Sequence, residues 1–232
     1  SSGKIAMKLS GDDKLIGVHT CEEKEDDVFL STKEGKCLRF PISNVRKFTG
    51  RNSVGVRGIR LSKEDTVISM YILKHAKFTI DERDNYLKIA NAIRRKELRR
   101  SMPFSKLSKG INLSEEKFKQ MENIEEFILS VADNGYGKRS SAYEYRITSR
   151  GGKGIANMTV SKKTGKVVSS FPINEKDDVM LITGTGKLIR SPVNKIRVAG
   201  RTTQGVTLFK VESGEKVLSS AAIKDLNIDP DK

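Results

Sequence analysis

The sequence predicts an all-β protein whose short strands form propeller-like blades, with one helical insertion. Three observations lead to this fold class. A unit of about 50 residues recurs along the chain, and each copy holds four short apolar runs separated by glycine-containing turns. A segment with helical periodicity interrupts the series once. Radial repetition suits such a period because it leaves only short sheet edges. A duplicated β-sandwich is the alternative that the pattern leaves open.

The repeat is clearest between residues 27–41 and 178–192, where Asp, Val, Leu, Thr, Gly, Lys, Arg and Pro coincide without a gap. Further along, residues 50–56 match 200–206 in the same way. A third copy begins at Phe127, and a half copy opens the chain. We therefore predict one domain over 1–232, with about three and a half four-stranded blades at about 3–20, 26–74, 127–175 and 177–223.

Residues 75–126 form the predicted insertion. Apolar side chains at helical spacing predict a helix over 81–98, and Ser114 followed by acidic residues predicts the N-cap of a second, shorter helix. The basic run at 94–100 could contact phosphates, but we favour a solvated helix face. The predicted apolar face consists of Tyr86, Ile89, Ala90, Ile93 and Leu98.

The formal net charge is +15, which predicts a polyanionic partner such as nucleic acid, an anionic membrane surface or an acidic protein. No apolar run is long enough to span a bilayer, and no signal peptide is expected. Two cysteines, Cys21 and Cys37, are too few for a disulfide scaffold or a CxxC zinc site, and reduced thiols in the cytoplasm are the favoured interpretation. His19 and His75 have no evident triad partners, so we predict no catalytic centre, no metal site and no cofactor.

Basic residues, by contrast, recur at fixed positions of the repeat. On a radial fold, equivalent positions form one rim, so we expect a curved positive stripe that binds phosphates without regard to sequence. Aromatic residues are only 6% of the chain, which argues against stacking on single strands and favours duplex. Some repeated arginines could instead pair with Asp27 or Asp178. The predicted contacts are Arg39, Arg46, Lys47, Arg51, Arg57, Arg60, Lys138, Arg139, Arg150, Lys153, Arg190, Arg197 and Arg201.

Three motifs give the chain a resemblance to a known family: Val-Gly-Val-Arg-Gly-Ile-Arg-Leu at 54–61, Asn-Gly-Tyr-Gly-Lys-Arg at 134–139 and Gly-Arg-Thr-Thr-Gln-Gly-Val at 200–206. The sequence resembles the C-terminal domain of the DNA gyrase A protein over essentially all of 3–223 apart from the insertion. The resemblance implies a β-pinwheel, a propeller-like ring whose blades exchange strands. It also implies a rim that wraps duplex DNA and supports negative supercoiling by the ATP-dependent type IIA topoisomerase.

The same resemblance implies partners and a location. These are duplex DNA, the remainder of gyrase A, and gyrase B, in an A2B2 holoenzyme in the cytoplasm near the nucleoid and without a membrane. Catalysis and ATP binding belong to other parts of that enzyme. Two departures stand out: about three and a half blades instead of about six, and no Gln-Arg-Arg-Gly-Gly-Lys-Gly box, although residues 150–154 resemble its last five positions. The alternatives are the equivalent domain of topoisomerase IV and a propeller that binds an acidic protein.

Overall fold

The computed structural model describes residues 3–95 and 102–224 and has the all-β architecture that the sequence predicts. Eleven strands and three α-helices are assigned in this part of the chain, and a short 3₁₀ turn follows the second strand of each full repeat: Ile42–Asn44, Ala142–Glu144 and Val193–Lys195. The strands and helices are β1 Asp26–Thr32, β2 Lys36–Pro41, β3 Val67–Lys74, α1 Ile80–Arg95, α2 Phe104–Leu107, α3 Glu115–Asn123, β4 Phe127–Ala132, β5 Tyr136–Ser141, β6 Ile155–Ala156, β7 Val167–Ile173, β8 Asp178–Thr183, β9 Leu188–Pro192, β10 Val206–Thr207 and β11 Val217–Ile223.

Neighbouring repeats exchange strands. The first sheet has the order β3-β1-β2-β6, the second β10-β5-β4-β7 and the third β11-β8-β9. Strand β6 belongs to the second repeat in sequence but pairs with β2, so that Ile155 lies opposite Cys37. Strand β10 of the third repeat pairs with β5 in the same way, with Val206 opposite Gly137. The fourth strand of a blade therefore comes from the following repeat, which is the pinwheel arrangement.

A glycine before each donated strand makes the exchange possible. Gly154 and Gly205 have φ values of +73° and +77°, a region that L side chains rarely adopt. A Cβ atom on Gly154 would lie 2.6 Å from the Cys37 carbonyl oxygen, and one on Gly205 would lie 2.4 Å from the Gly137 carbonyl oxygen. The strand of the next repeat can approach its host only where no side chain intervenes.

The last strands of the three blades lie next to one another and are joined by hydroxyl groups. Ser69 on β3 accepts a hydrogen bond from the backbone N–H of Ser170 on β7, at 3.1 Å. Ser169 on β7 is hydrogen-bonded in turn to Ser220 on β11. Buried apolar side chains of β4, β7, β8 and β11 form a core that spans the second and third repeats. The repeats therefore share their cores as well as their sheets.

The half copy at the start lies beside β3 without forming a strand. None of the described residues 3–25 is assigned to a strand, and the His19 ring packs 5.0 Å from the Tyr71 ring. Tyr71 packs in turn 6.0 Å from Phe171 on β7. The segment thus packs beside β3, which itself lies beside β7. Several of its apolar side chains, including Ile5 and Val18, are exposed.

The insertion is helical and packs on the second blade. Tyr86 on α1 and Phe118 and Met121 on α3 are buried against Tyr143 of the second 3₁₀ turn. The Ser114 hydroxyl accepts a hydrogen bond from the Lys117 N–H at 3.1 Å, which confirms the predicted N-cap. The predicted apolar face of α1 is buried or half-buried wherever it is described, and Leu98 lies outside the described residues.

Neither cysteine forms a disulfide: Cys21 is exposed, and Cys37 is buried on β2, where burial raises the pKa of its thiol to about 12. Within residues 3–95 and 102–224, no helix has the length and apolar character that a bilayer span requires.

The strand exchange gives a stability prediction. Replacing Gly205 with alanine strains the backbone and also brings a methyl group against the carbonyl of Gly137. Gly186, with a φ of +82° and no atom within 4 Å of its virtual Cβ, is the matched control because alanine there adds only the backbone strain. We expect Gly186→Ala to lower the free energy of unfolding by about 1–2 kcal/mol, and Gly205→Ala by a further ~1–3 kcal/mol. Urea denaturation measures both, and equal losses would contradict the close approach.

Candidate nucleic-acid interface

Arg39 is predicted as a phosphate contact, but the structure buries it at the junction of the first two repeats. Its Nε donates to a carboxylate oxygen of Asp27 at 2.8 Å. Its Nη1 donates to the carbonyl of Ala142 at 2.9 Å, and its Nη2 to the carbonyl of Lys74 at 2.7 Å. The side chain is only 1% exposed. All three guanidinium nitrogens are therefore committed to the protein, and Arg39 joins the first repeat to the second.

The equivalent arginines of the next two repeats, Arg139 and Arg190, also form hydrogen bonds within the protein. Arg139 is buried and donates from Nε to the carbonyl of Ile196 in the third repeat, at 2.7 Å. Phe127 stands where the first repeat has Asp27, and its ring centroid lies 5.8 Å from the Arg139 guanidinium. Arg190 pairs with Asp178 at 2.6 Å and remains largely exposed. The alternative interpretation, that repeated arginines pair with Asp27 and Asp178, is confirmed.

Arg150 and Arg201 bind the preceding repeat through equivalent carbonyl oxygens. Arg150 donates from Nε to the carbonyl of Asn44 at 3.0 Å and from Nη1 to that of Arg57 at 2.5 Å. Arg201 donates from Nε to the carbonyl of Glu144 at 3.2 Å and from Nη1 to that of Ala156 at 2.5 Å. These arginines hold adjacent repeats together. The side chain of Arg51, at the corresponding position of the first repeat, is exposed.

Lys138 is a buried cation at the junction of the second and third repeats. Its side chain occupies the position that the apolar Leu38 has in the first repeat, and its Nζ donates to the carbonyls of Gly200, at 2.7 Å, and Arg201. The residue is 0% exposed, and burial lowers the pKa of its amine to about 7. Lys138 therefore supports the loop of the next repeat and has no route to a phosphate outside.

A second set of arginines is free of such contacts. Arg46 and Arg197, both predicted, are exposed two residues after the 3₁₀ turns of the first and third repeats. The structure adds Arg146, which is exposed at the same position of the second repeat. The repeat spacing alone would have found it, since Arg146 follows Arg139 by seven residues, as Arg46 follows Arg39 and Arg197 follows Arg190. Ile147 and Val198, which follow Arg146 and Arg197, form isolated β-bridges with Arg39 and Arg139 of the preceding repeats. Arg146 and Arg197 therefore lie at the junctions between repeats.

We call Arg46, Arg146 and Arg197 the arginine row. Among the ion pairs that the structure describes, none includes a member of the row, and the Arg46 guanidinium lies 5.5 Å from the centroid of the Phe48 ring. The remaining predicted contacts, Lys47, Arg57, Arg60 and Lys153, are also exposed, and of these Lys47 pairs with Glu23. Lys96, Arg99 and Arg100 lie outside the described residues.

Two titratable side chains outside the row, His75 and Tyr145, are engaged within the protein. His75 is committed to Asp27, with 2.7 Å between its Nδ1 and a carboxylate oxygen. Tyr145 is fully buried and donates its hydroxyl to Asn157, and burial holds the pKa of this phenol well above its usual range. The described residues contain no group of three or more His, Cys, Asp or Glu side chains that could hold a metal ion. Exposed guanidinium groups fit phosphate oxygens through charge and paired N–H donors.

The fold and its surface define a class: a strand-exchanging propeller with a row of arginines at equivalent blade positions. The sequence model of the family described as DNA gyrase C-terminal domain, beta-propeller, matches residues 1–22, 26–74, 126–174 and 177–224, more than half of the chain. The chain belongs to this family.

Named relatives and solved structures agree with this assignment. The DNA gyrase A protein of Rickettsia bellii is 49% identical over 229 residues, which cover 99% of this chain and 25% of the relative. The chain thus spans about a quarter of the curated relatives' length. A DNA gyrase A C-terminal domain structure aligns with a TM-score of 0.64 at 21% identity, over 96% of this chain and 58% of that one. The C-terminal domain of DNA topoisomerase IV aligns with a TM-score of 0.67 at 18% identity, over 94% and 53%, and both likenesses concern the fold.

The two kinds of arginine give a testable contrast. Arg201→Gln removes two charge-assisted hydrogen bonds to the preceding repeat, so we expect a loss of about 2 kcal/mol in the free energy of unfolding. Arg197→Gln, four residues earlier and exposed, should change it by less than about 0.5 kcal/mol. Chemical denaturation of both variants measures the difference. If Arg197→Gln lowers the free energy of unfolding and Arg201→Gln leaves it unchanged, then Arg197 and not Arg201 holds the repeats together, which contradicts the assignment.

Lys138 gives a pH prediction. Its pKa is about 7 in the folded protein, and a lysine in the unfolded chain has a pKa of about 10.4. Between these values the unfolded chain binds more protons, so stability rises as the pH rises from 7 to 9, by up to about 1.3 kcal/mol per pH unit. Lys138→Met should remove this slope. Urea denaturation at several pH values tests it, and an unchanged slope in the variant would assign the effect to another group.

Proposed function

We propose that this chain is a non-catalytic module that binds duplex DNA along its perimeter, without sequence preference, and bends or wraps it. In this proposal the chain acts as part of a gyrase A protein and works with the rest of that protein and with gyrase B in an A2B2 enzyme of the bacterial cytoplasm. Its contribution is to hold a DNA segment in a curved path while other parts of the enzyme carry out strand passage and negative supercoiling.

The arginine row is the observation that carries this proposal. The same side chain is exposed at the same place in three consecutive repeats, although the architecture gives it no ion pair among the described residues. Repeats arranged around an axis turn equivalent positions into a curved series of positive charges. Such a series suits the backbone of a bent duplex, because each phosphate that is neutralised releases condensed counterions.

The side chains of the arginine row suit contacts with the phosphate backbone better than contacts with the bases. Among the cation–ring contacts described for the structure, the contact of Arg46 with Phe48 is the one that involves the row. Tyr86, Tyr143 and Tyr145 are buried in the fold, so they are unavailable for stacking on bases. Contacts restricted to the phosphate backbone bind many sequences equally, and the deformability of the duplex then decides where it bends. An acidic protein remains the rival partner that the experiment must separate from DNA.

The test measures binding and bending together. Duplexes of about 20 and 60 bp, labelled at both ends for energy transfer, are titrated with the chain over a salt series. We expect tighter binding to the longer duplex, a steep loss of affinity with salt and a shorter end-to-end distance. The absence of binding at low salt, with capture of an acidic protein instead, would overturn the proposal.

The arginine row is tested by a matched pair of variants. Arg46→Gln, Arg146→Gln and Arg197→Gln together should lower the affinity about tenfold or more and reduce the salt slope by about 2–3, since up to three phosphate contacts are lost. Lys33→Gln, Lys63→Gln and Lys162→Gln form the control, because these lysines are exposed in the turns at the other end of the strands and also remove three charges. Equal losses in the two variants would show that only net charge matters.

A further inference from the structure

The two complete junctions between repeats have the same backbone arrangement. At the first junction, Arg60 donates its backbone N–H to the carbonyl of Gly152, at 2.8 Å. At the second, Thr159 donates its backbone N–H to the carbonyl of Thr203, at 3.3 Å, and these are the equivalent positions of the repeat. The arginine that binds the preceding repeat also uses equivalent acceptors at both junctions. The junctions can therefore be compared position by position.

Their surface side chains differ at three equivalent positions. The first junction carries three exposed cations, and the second carries uncharged side chains in the same places. Because the second junction forms the same backbone contacts without these charges, the assembly of the repeats does not require them. We call the three cations the junction cluster. The equivalent pairs are Arg57 and Ala156, Arg60 and Thr159, and Lys153 and Gln204.

No ion pair described for the structure neutralises a member of the junction cluster. The segments that carry it, residues 50–60 and 149–160, contain no acidic residue. By contrast, most ion pairs of the blades join a lysine to a nearby carboxylate. Gly151 and Gly152 lie beside the cluster, and an exposed backbone without side chains lets a ligand approach closely.

We infer that the junction cluster is the principal phosphate-binding site of this chain and the anchor of the duplex path, while the second junction, which is uncharged at the three equivalent surface positions, contributes little. This inference rests on the proposed DNA binding and adds an unequal distribution of affinity along the perimeter. The ligand is a run of neighbouring phosphates on a duplex, recognised by charge. The duplex is anchored once, at the junction cluster. The arginine row then guides it around the perimeter, with one exposed arginine in each repeat.

The experiment moves the charges from one junction to the other. Arg57→Gln, Arg60→Gln and Lys153→Gln together should weaken binding to a duplex of about 20 bp at least tenfold and lower the salt slope by about 2–3. Adding Ala156→Arg, Thr159→Arg and Gln204→Lys to that variant should restore most of the affinity, because equivalent backbone positions then carry the charges. The hydrogen bond from Arg150 survives these changes, since it uses the carbonyl of Arg57 and not its side chain.

Replacing Lys88, Lys106 and Lys109 with glutamine controls for net charge, because these lysines are exposed and belong to the helical insertion, outside the repeats that carry the cluster. Denaturation curves control for folding. If the wild-type chain binds no duplex, the proposed function fails. If the wild type binds but the junction-cluster variant loses no more affinity than the lysine control, the proposed function stands and this inference is overturned. A graft that leaves the affinity unrestored, in a protein that is folded, also contradicts it.

Discussion

The structure depends on one constraint: the fourth strand of a blade comes from the repeat that follows it. Strands β6 and β10 are only two residues long, and each completes the sheet of the preceding repeat. A strand this short contributes few ladder hydrogen bonds, so the junction needs other contacts. Gly154 and Gly205 supply the close approach, and arginine side chains add hydrogen bonds by donating to backbone carbonyls across the junction. We therefore expect neighbouring repeats to fold cooperatively, because each four-stranded blade takes its fourth strand from the repeat that follows it.

Arginine consequently has two uses in this protein. Its guanidinium group carries five N–H donors, so one side chain can satisfy several carbonyl oxygens at a buried junction, as Arg39 and Arg201 do. The same donors suit phosphate oxygens when the side chain is exposed, as in the arginine row. Burial and hydrogen-bonding partners separate these uses, whereas residue type and repeat position do not. The high positive charge of the chain therefore overstates the number of groups that are available to a polyanion.

The helical insertion and the two junctions break the symmetry of the repeats. The insertion buries the second 3₁₀ turn through Tyr143, whose hydroxyl donates to the carbonyl of Met121 at 2.9 Å, so it is built into the second blade. Leu38 and Lys138 occupy equivalent strand positions at successive junctions, one apolar and one charged. Differences of this kind give each blade its own surface and its own electrostatics on a shared backbone plan.

The periodicity, the all-β class, the position of the insertion and the cap at Ser114 could be predicted from the sequence, because they depend on local spacing and local hydrogen bonding. The sequence also indicated that Asp27 and Asp178 could engage repeated arginines. It did not reveal which basic residues are internal, because that depends on packing: Arg39, Lys138 and Arg139 are buried, and Arg150 and Arg201 bind carbonyls. Those acceptors lie in another repeat, and for Arg201 they are 57 and 45 residues away in sequence. A repeat pattern shows that positions are equivalent, but it does not show which side of the junction each one faces, since that is set by packing between blades.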